Sequence, residues 1–171
     1  MTEVRAEQAG DAPAIRAVLG ACFPTEAEAR LVELLRADFS LPVSLVADQG
    51  GELIGHVAFS PVSLDSHTEA GAVRGAGLAP LAVLEAHRRQ GVGTALACAG
   101  LDACATAGFG WIVVLGDPRY YARFGFRPAA EAGLHDEYGG GPAFQVLELR
   151  PGSLPVGAGL VRYSPEFASL G

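Results

Sequence analysis

Between Glu85 and Thr94 the chain reads EAHRRQGVGT, a basic turn punctuated by two glycines. Arg88 and Arg89 bring positive charge, and Gly91 and Gly93 remove the side chains that would keep an anion from the backbone N–H groups. The apolar stretch before the turn, LAPLAV, reads as a strand, and the stretch after it, VGTALACAGLDACA, reads as a helix. The first amides of a helix have no intrahelical partner, and the helix dipole adds roughly half a positive charge at the same place. Those residue types in that order make an anion site suited to a diphosphate. Two nucleotide motifs are not met: Gly91 and Gly93 are followed by Leu96 rather than a third glycine, and no Gly-Lys-Ser/Thr is present.

Two other residues could do chemistry. On the strand-like run Leu53 to Leu64, Ile54, His56, Ala58 and Ser60 share one face, so the histidine sits among small and apolar neighbours. Such a histidine is most often a hydrogen-bonded core residue, yet an imidazole of pKa near 6.5 can also accept a proton at physiological pH, and both readings stand. Asp117 precedes Pro118, which is the pattern of a helix cap followed by proline at the first helical position.

The elements that must position these groups follow from periodicity. Thr2 to Glu7 reads as a first strand, and Asp11 with Pro13 opens an amphipathic helix. A second helix is expected from about Glu26 to Ala37, with Leu31, Leu34 and Leu35 on its apolar side and Glu26 and Glu28 on a solvated face. Ser44 to Asp48 and Leu53 to Leu64 form an antiparallel pair across Asp48-Gln49-Gly50-Gly51, and Asp65 to Gly75 is expected to be a mobile loop. Gly77 to Leu84 is the central strand. The helix Gly91 to Ala107 turns Val92, Leu96, Ala99 and Ala103 to the sheet, with Cys98 and Cys104 as small core residues. Trp111 to Leu115 reads as a strand buried on both faces, joined to the central strand by a parallel crossover. Gly125 ends the helix after Pro118; Phe126 to Pro128 and Ala143 to Leu149 pair antiparallel, with Gly139 to Gly141 as a loop between them. Pro151 to Gly159 reads as a linker, and LVRYSPEF as an edge strand or a docked aromatic end.

With 171 residues the chain is expected to be one domain, and its net charge of −7 argues against general nucleic-acid binding. No run reaches the roughly 18 apolar residues of a membrane span, and the opening MTEVRAEQAG is too polar for a signal peptide, so a soluble cytoplasmic protein is expected. Cys22, Cys98 and Cys104 lack metal-ligand spacing and leave one unpaired in any scheme, as expected of buried free thiols.

Arg88, Gly91 and Gly93 match R/Q-x-x-G-x-G/A after the strand end Leu81 to Val83, and this resembles the acetyl-CoA motif of the GCN5-related N-acetyltransferases, the GNAT family. DPRYYARFGF, from Asp117 to Phe126, resembles the second half of that family's core. The resemblance covers roughly Thr2 to Arg150, and the tail resembles that of the YhbS-like bacterial subgroup. It implies a mixed α/β fold: a mostly antiparallel twisted sheet with a splayed central parallel strand pair and helices on both faces. Residues 1–150 would form the acetyltransferase domain, with 151–171 as an extension packed on it.

The resemblance also implies acetyl-CoA as cofactor. Its pantetheine arm would lie between the Leu78 to Leu84 and Trp111 to Leu115 strands, against the backbone of Leu81 and Val83. The amides of Arg89, Gln90, Gly91, Val92, Gly93 and Thr94 would hold the diphosphate, Arg88 a phosphate or the turn itself, and an N–H of Ala82 or Val83 would polarise the thioester carbonyl. Tyr121 matches the family's Y-x-x-x-G-F spacing and would serve the leaving thiolate, whereas Tyr120 points about 100° away on the same helix. Where many members carry a cofactor-contacting asparagine, this chain has Asp117. His56 is the acid–base candidate, acting directly or through water, and the joint of the first two helices, with Glu26 and Glu28, would wall the acceptor pocket. The implied activity is transfer of an acetyl or other short acyl group to a primary amine of a small molecule or protein, by direct attack in a ternary complex, with no membrane partner and a homodimer possible. A noncatalytic acyl-CoA sensor is the alternative, and a regulator binding ATP or NAD a third.

Overall fold

A computed structural model describes residues 1–65, 73–155 and 159–170. The expected strands and helices are present, with β1 at Thr2–Ala6, α1 at Ala12–Cys22 and α2 at Ala27–Ala37 leading into β2 (Val43–Gln49) and β3 (Glu52–Asp65). The central βαβ unit is β4 (Arg74–Val83), α3 (Val92–Thr106) and β5 (Phe109–Leu115). A one-turn helix α4 (Pro118–Tyr121) then precedes β6 (Arg127–Pro128), β7 (Leu134–Asp136), β8 (Phe144–Glu148) and β9 (Gly159–Arg162). The main sheet runs β1-β2-β3-β4-β5-β8-β6, and β9 pairs with the far end of β3 and with β7. It is mixed and mostly antiparallel: β4 and β5 form the parallel pair within it, and β7 with β9 the other parallel contact.

Three packing layers follow from strand alternation. One face of β2 to β5 is covered by α3, through Val57, Phe59, Leu78, Leu96 and Ile112. The other face is covered over its first half by α1 and α2, through Ile15, Leu19, Val32, Val46 and Ala58. Over its second half the cover is β7, β9 and the C-terminal turn, through Trp111, Val113, Leu134, Val161, Tyr163 and Phe167.

Local chemistry accounts for several departures from the expected pattern. Asp11 does not cap α1 with its side chain; Arg5 takes its carboxylate at 2.8 Å, and so does the Gln8 amide at 2.7 Å. The fully buried residues of α3 are Val92, Leu96, Ala97, Gly100, Leu101 and Cys104, while Ala99 and Ala103 are half-buried and pack against the sheet-side core as expected. Gly100 sets the rotation of the helix, because a Cβ there would collide with the Phe59 ring, so the helix rides on that ring. All three cysteines are free, but Cys98 is exposed rather than in the core. Cys104 is buried, and burial pushes its thiol pKa up to about 12. The loop expected from Asp65 to Gly75 is shorter: β3 reaches Asp65, β4 begins at Arg74, and the stretch between falls largely on residues 66–72, outside the described ones. No helix among the described residues is long and apolar enough to cross a membrane.

Candidate active site

The parallel pairing of β4 with β5 ends at Gly77 and Val113, although β4 continues to Val83 and β5 to Leu115. The two strands therefore separate, and a seam opens between their C-terminal ends. On its other edge β4 stays paired to β3, with a register shift that sets Val57 opposite Leu81 and Phe59 opposite Leu78. The Leu84 amide donates to Ile54 O at 2.8 Å across that pair. Antiparallel alternation then directs the Ala82 N–H toward β3 as well, and turns the N–H groups of Leu81 and Val83 into the seam.

Past the strand, the turn takes a shape only part of which sequence could supply. Arg89 and Gly91 both adopt left-handed backbone, at φ 62° and 82°, and Gly91 caps α3. Alternating handedness of this kind points successive amides into one concavity. Among the described residues, the amides of Arg89 through Thr94 have no backbone acceptor. Arg88 fastens the turn, its Nε donating to Val83 O at 2.8 Å.

These groups line a cleft of about 620 Å³ that brings together Leu81, Ala82, Val83, Arg88, Arg89, Gly91, Val92, Gly93 and Thr94. Cys22 and Phe23, at the α1–α2 joint, and Tyr120 and Arg123 complete its wall. Arg123 stacks on Tyr120, with its guanidinium carbon 4.1 Å from the ring centre. Arg88, Arg89 and Arg123 take part in no ion pair among the described residues, whereas Arg5, Arg16, Arg36, Arg119, Arg127 and Arg162 all do. In a chain of net charge −7, this cleft gathers uncompensated positive charge at a row of free amides.

Gln90, Asp117, Tyr121 and His56 are not on the cleft wall. Gln90 points back to Ala86 O at 3.5 Å. Asp117 caps α4, accepting from the Arg119 amide at 2.9 Å and from its guanidinium, which together hold its carboxyl below the usual carboxylate range. Glu26 pairs with Arg16 at 3.2 Å, and Glu28 has one buried carboxylate oxygen without a partner.

Tyr121 sits behind the cleft. Its ring packs on Gly116, where a Cβ would collide with it, and edge-on to Phe126 at 5.8 Å between centres. Burial, with Tyr120 adding to it, pushes its phenol up to about 12. The same ring meets that of Tyr120, a residue of the cleft wall, edge-on at 5.1 Å between centres.

His56 is completely buried and lies on the face covered by α1 and α2. Ser44 Oγ is 2.9 Å from its Nε2 and donates to Glu7 Oε1 at 2.8 Å. Because that hydroxyl proton goes to the carboxylate, Nε2 is the protonated ring nitrogen, and Nδ1 is left with no partner. Arg36 closes the chain by gripping both oxygens of Glu7 at 2.8 Å. Burial pushes the imidazole pKa down to about 4 against the opposing pull of Glu7, so it is neutral at physiological pH.

A mixed sheet that parts between two parallel strands, beside a free-amide turn at a helix start, offers a diphosphate site continuous with a slot for an extended arm. The chain belongs to the acetyltransferase (GNAT) family, whose model matches residues 12–126. It is 43% identical to the uncharacterized N-acetyltransferase YhbS of Escherichia coli K12 over 166 residues, 96% of this chain and 97% of that one. Identity to YjhQ of the same organism, also named an N-acetyltransferase, is 34% over 70% of this chain and 66% of that one. Among solved structures, E. coli YhbS in complex with CoA superposes with a TM-score of 0.90 at 42% identity, over 99% of this chain and 93% of that chain. A GNAT-family acetyltransferase from Brucella melitensis in complex with acetyl-CoA gives a TM-score of 0.78 at 34% identity, over 98% of both chains.

Proposed function

We propose that this chain is an acetyl-CoA-dependent N-acyltransferase that moves an acetyl or other short acyl group directly to a primary amine in a ternary complex. The observation that carries this reading is the row of free amides from Arg89 to Thr94, set among three unpaired arginines and adjoining the open seam. That donor set fits a diphosphate, and the seam fits an extended arm. The complexes of E. coli YhbS with CoA and of the Brucella protein with acetyl-CoA support carrying the cofactor over to this chain.

When bound, acetyl-CoA supplies a thioester carbonyl: the amine nitrogen forms the new C–N bond, the C–S bond breaks with its electron pair going to sulfur, and the proton lost from nitrogen ends on sulfur. The chain's own part is positional and electrostatic. Val83 N–H, turned into the seam, is the donor for charge developing on the carbonyl oxygen; the Ala82 N–H is committed to β3. Tyr121 serves the sulfur. A phenol at about 12 stays protonated, and handing its proton fully to a thiolate of pKa near 8.5 costs about 5 kcal/mol, so its role is to donate a hydrogen bond. Holding amine and thioester together at the seam supplies much of the acceleration without a dedicated base.

The test is calorimetric titration with acetyl-CoA, followed by mass-spectrometric detection of N-acetylated product from a panel of amines. Binding with turnover supports the transferase. Tight binding with no product from any amine would make the chain a sensor of acyl-CoA.

A further inference from the structure

The face of the sheet away from α3 holds a second cavity at the same seam. Trp111, Val113 and Leu115 point to that face by strand alternation, and Ala79 on β4 and Leu115 on β5, each just past the last β4–β5 pair, border a cavity of about 320 Å³. Its remaining walls are Tyr138, Tyr163, Phe167 and Leu170. The volume falls at the lower end of small-molecule sites, about 300–1,000 Å³.

Three features make this wall a ligand surface. Of the six large apolar side chains left exposed among the described residues, Leu115, Tyr138 and Leu170 converge here. Three rings form a continuous aromatic side, with Tyr138 to Tyr163 at 6.1 Å and Tyr163 to Phe167 at 4.9 Å between centres. The Tyr163 side chain is 6% exposed and its hydroxyl has no hydrogen-bond partner, an expense that a polar ligand group would remove.

The charge around the cavity is acidic. Asp136 accepts from the Tyr138 and Gly140 amides, at 3.1 and 2.7 Å, and has no cationic partner among the described residues. Glu137 accepts from the Tyr163 amide at 2.9 Å and is only loosely met by Arg162, at 3.5 Å. Aromatic walls whose backbone amides are held by these two carboxylates suit an amine, which arrives as a cation and gives up its extra proton to solvent before the neutral nitrogen attacks.

We propose that this cavity is the acceptor site, and that the acceptor is a small primary amine carried on an aromatic or similarly bulky apolar body. The nitrogen lies at the seam by Ala79 and the Tyr163 hydroxyl, and the ring packs among Tyr138, Phe167 and Leu170. This rests on the acyltransferase reading above, with cofactor and acceptor meeting from opposite faces of the parted strands.

The experiment offers the full chain acetyl-CoA with 2-phenylethylamine, 1,4-diaminobutane or a peptide bearing a free N-terminus and a lysine, quantifies product by mass spectrometry, and titrates acetyl-CoA alone by calorimetry. The expected preference for 2-phenylethylamine in kcat/KM is about 100-fold, from burying one ring. Tyr163→Phe keeps the packing and is expected to raise the KM for that amine about 10-fold, with an unchanged or higher melting temperature, as loss of an orphan hydroxyl dictates. An unchanged KM in that variant overturns the assignment. Normal acetyl-CoA binding with turnover of another amine and no preference for the aryl amine overturns this proposal alone, whereas binding with no product from any amine removes the acyltransferase reading as well. Failure to bind acetyl-CoA removes the acyltransferase reading and this proposal with it.

Discussion

Gly91→Ala separates backbone strain from ligand binding. Gly91 sits at φ 82° with nothing within 4 Å of the position its Cβ would take, so the protein itself has room for a methyl group. What it lacks is a conformation that an L-residue adopts freely: left-handed backbone costs a non-glycine residue roughly 1–2 kcal/mol. Gly50, in the β2–β3 turn at φ 64°, is likewise open on all sides, and its substitution carries a similar penalty far from the cleft. Both alanine variants are therefore expected to melt about 2–8 °C lower. Only at position 91 does relief of the strain rotate the free amides. Losing two hydrogen bonds to a charged diphosphate, at about 1.5–3 kcal/mol each, weakens binding by about 100-fold or more. Calorimetric titration of acetyl-CoA into both variants, with parallel thermal melts, is the assay. Wild-type affinity in Gly91→Ala, or equal weakening in Gly50→Ala, would refute the assignment of the diphosphate to this turn.

Tyr121→Phe is expected to lower kcat by about 10–100-fold, the worth of one hydrogen bond to a developing thiolate, with acetyl-CoA affinity almost unchanged because the ring stays against Gly116; full turnover would remove its role. His56→Gln tests a pH dependence. The folded imidazole titrates at about 4, below its unfolded value near 6.5, so the unfolded chain binds the extra proton first. Its contribution is complete above about pH 6.5 and is lost as pH falls toward 4, about 3 kcal/mol in all. Melts of the wild type should show this loss between pH 6.5 and 4.5, before the lowered carboxyls of Glu7 and Asp11 protonate, and the variant should lack it. A shifted pH–rate profile in that variant at unchanged stability would instead make His56 a proton-handling group.

The anion turn was legible in the sequence because its geometry is local: a glycine that must take positive φ, a helix start and two arginines lie within a few residues. Alternation likewise revealed the central strands, since their burial depends on period alone. What escaped were features set by distant contacts. The rotation of α3 depends on Gly100 meeting Phe59, forty-one positions earlier in the chain. The single turn of α4 fixes its own heading poorly, so the packing of Tyr121 on Gly116 decides that Tyr120 and Arg123 reach the cleft. A pair three residues apart on one helix face was the signal available for those two. Cys22 and Phe23 come from the α1–α2 joint, which the family resemblance marked without naming them. β7 is three residues long and exists through its pairing with β9, which no local pattern announces. The aromatic tail after Leu160 was readable as a docked end, but the cavity it closes needs Ala79 and Leu115 from the parted strands.

The most direct measurement is a crystal structure of the chain grown with acetyl-CoA. The diphosphate is expected on the amides of Arg89 to Thr94, and the acetyl carbonyl between β4 and β5 within reach of the Val83 N–H, facing Ala79 and Leu115. A diphosphate bound away from that turn, or a seam closed by continued β4–β5 pairing beyond Gly77 and Val113, would contradict it.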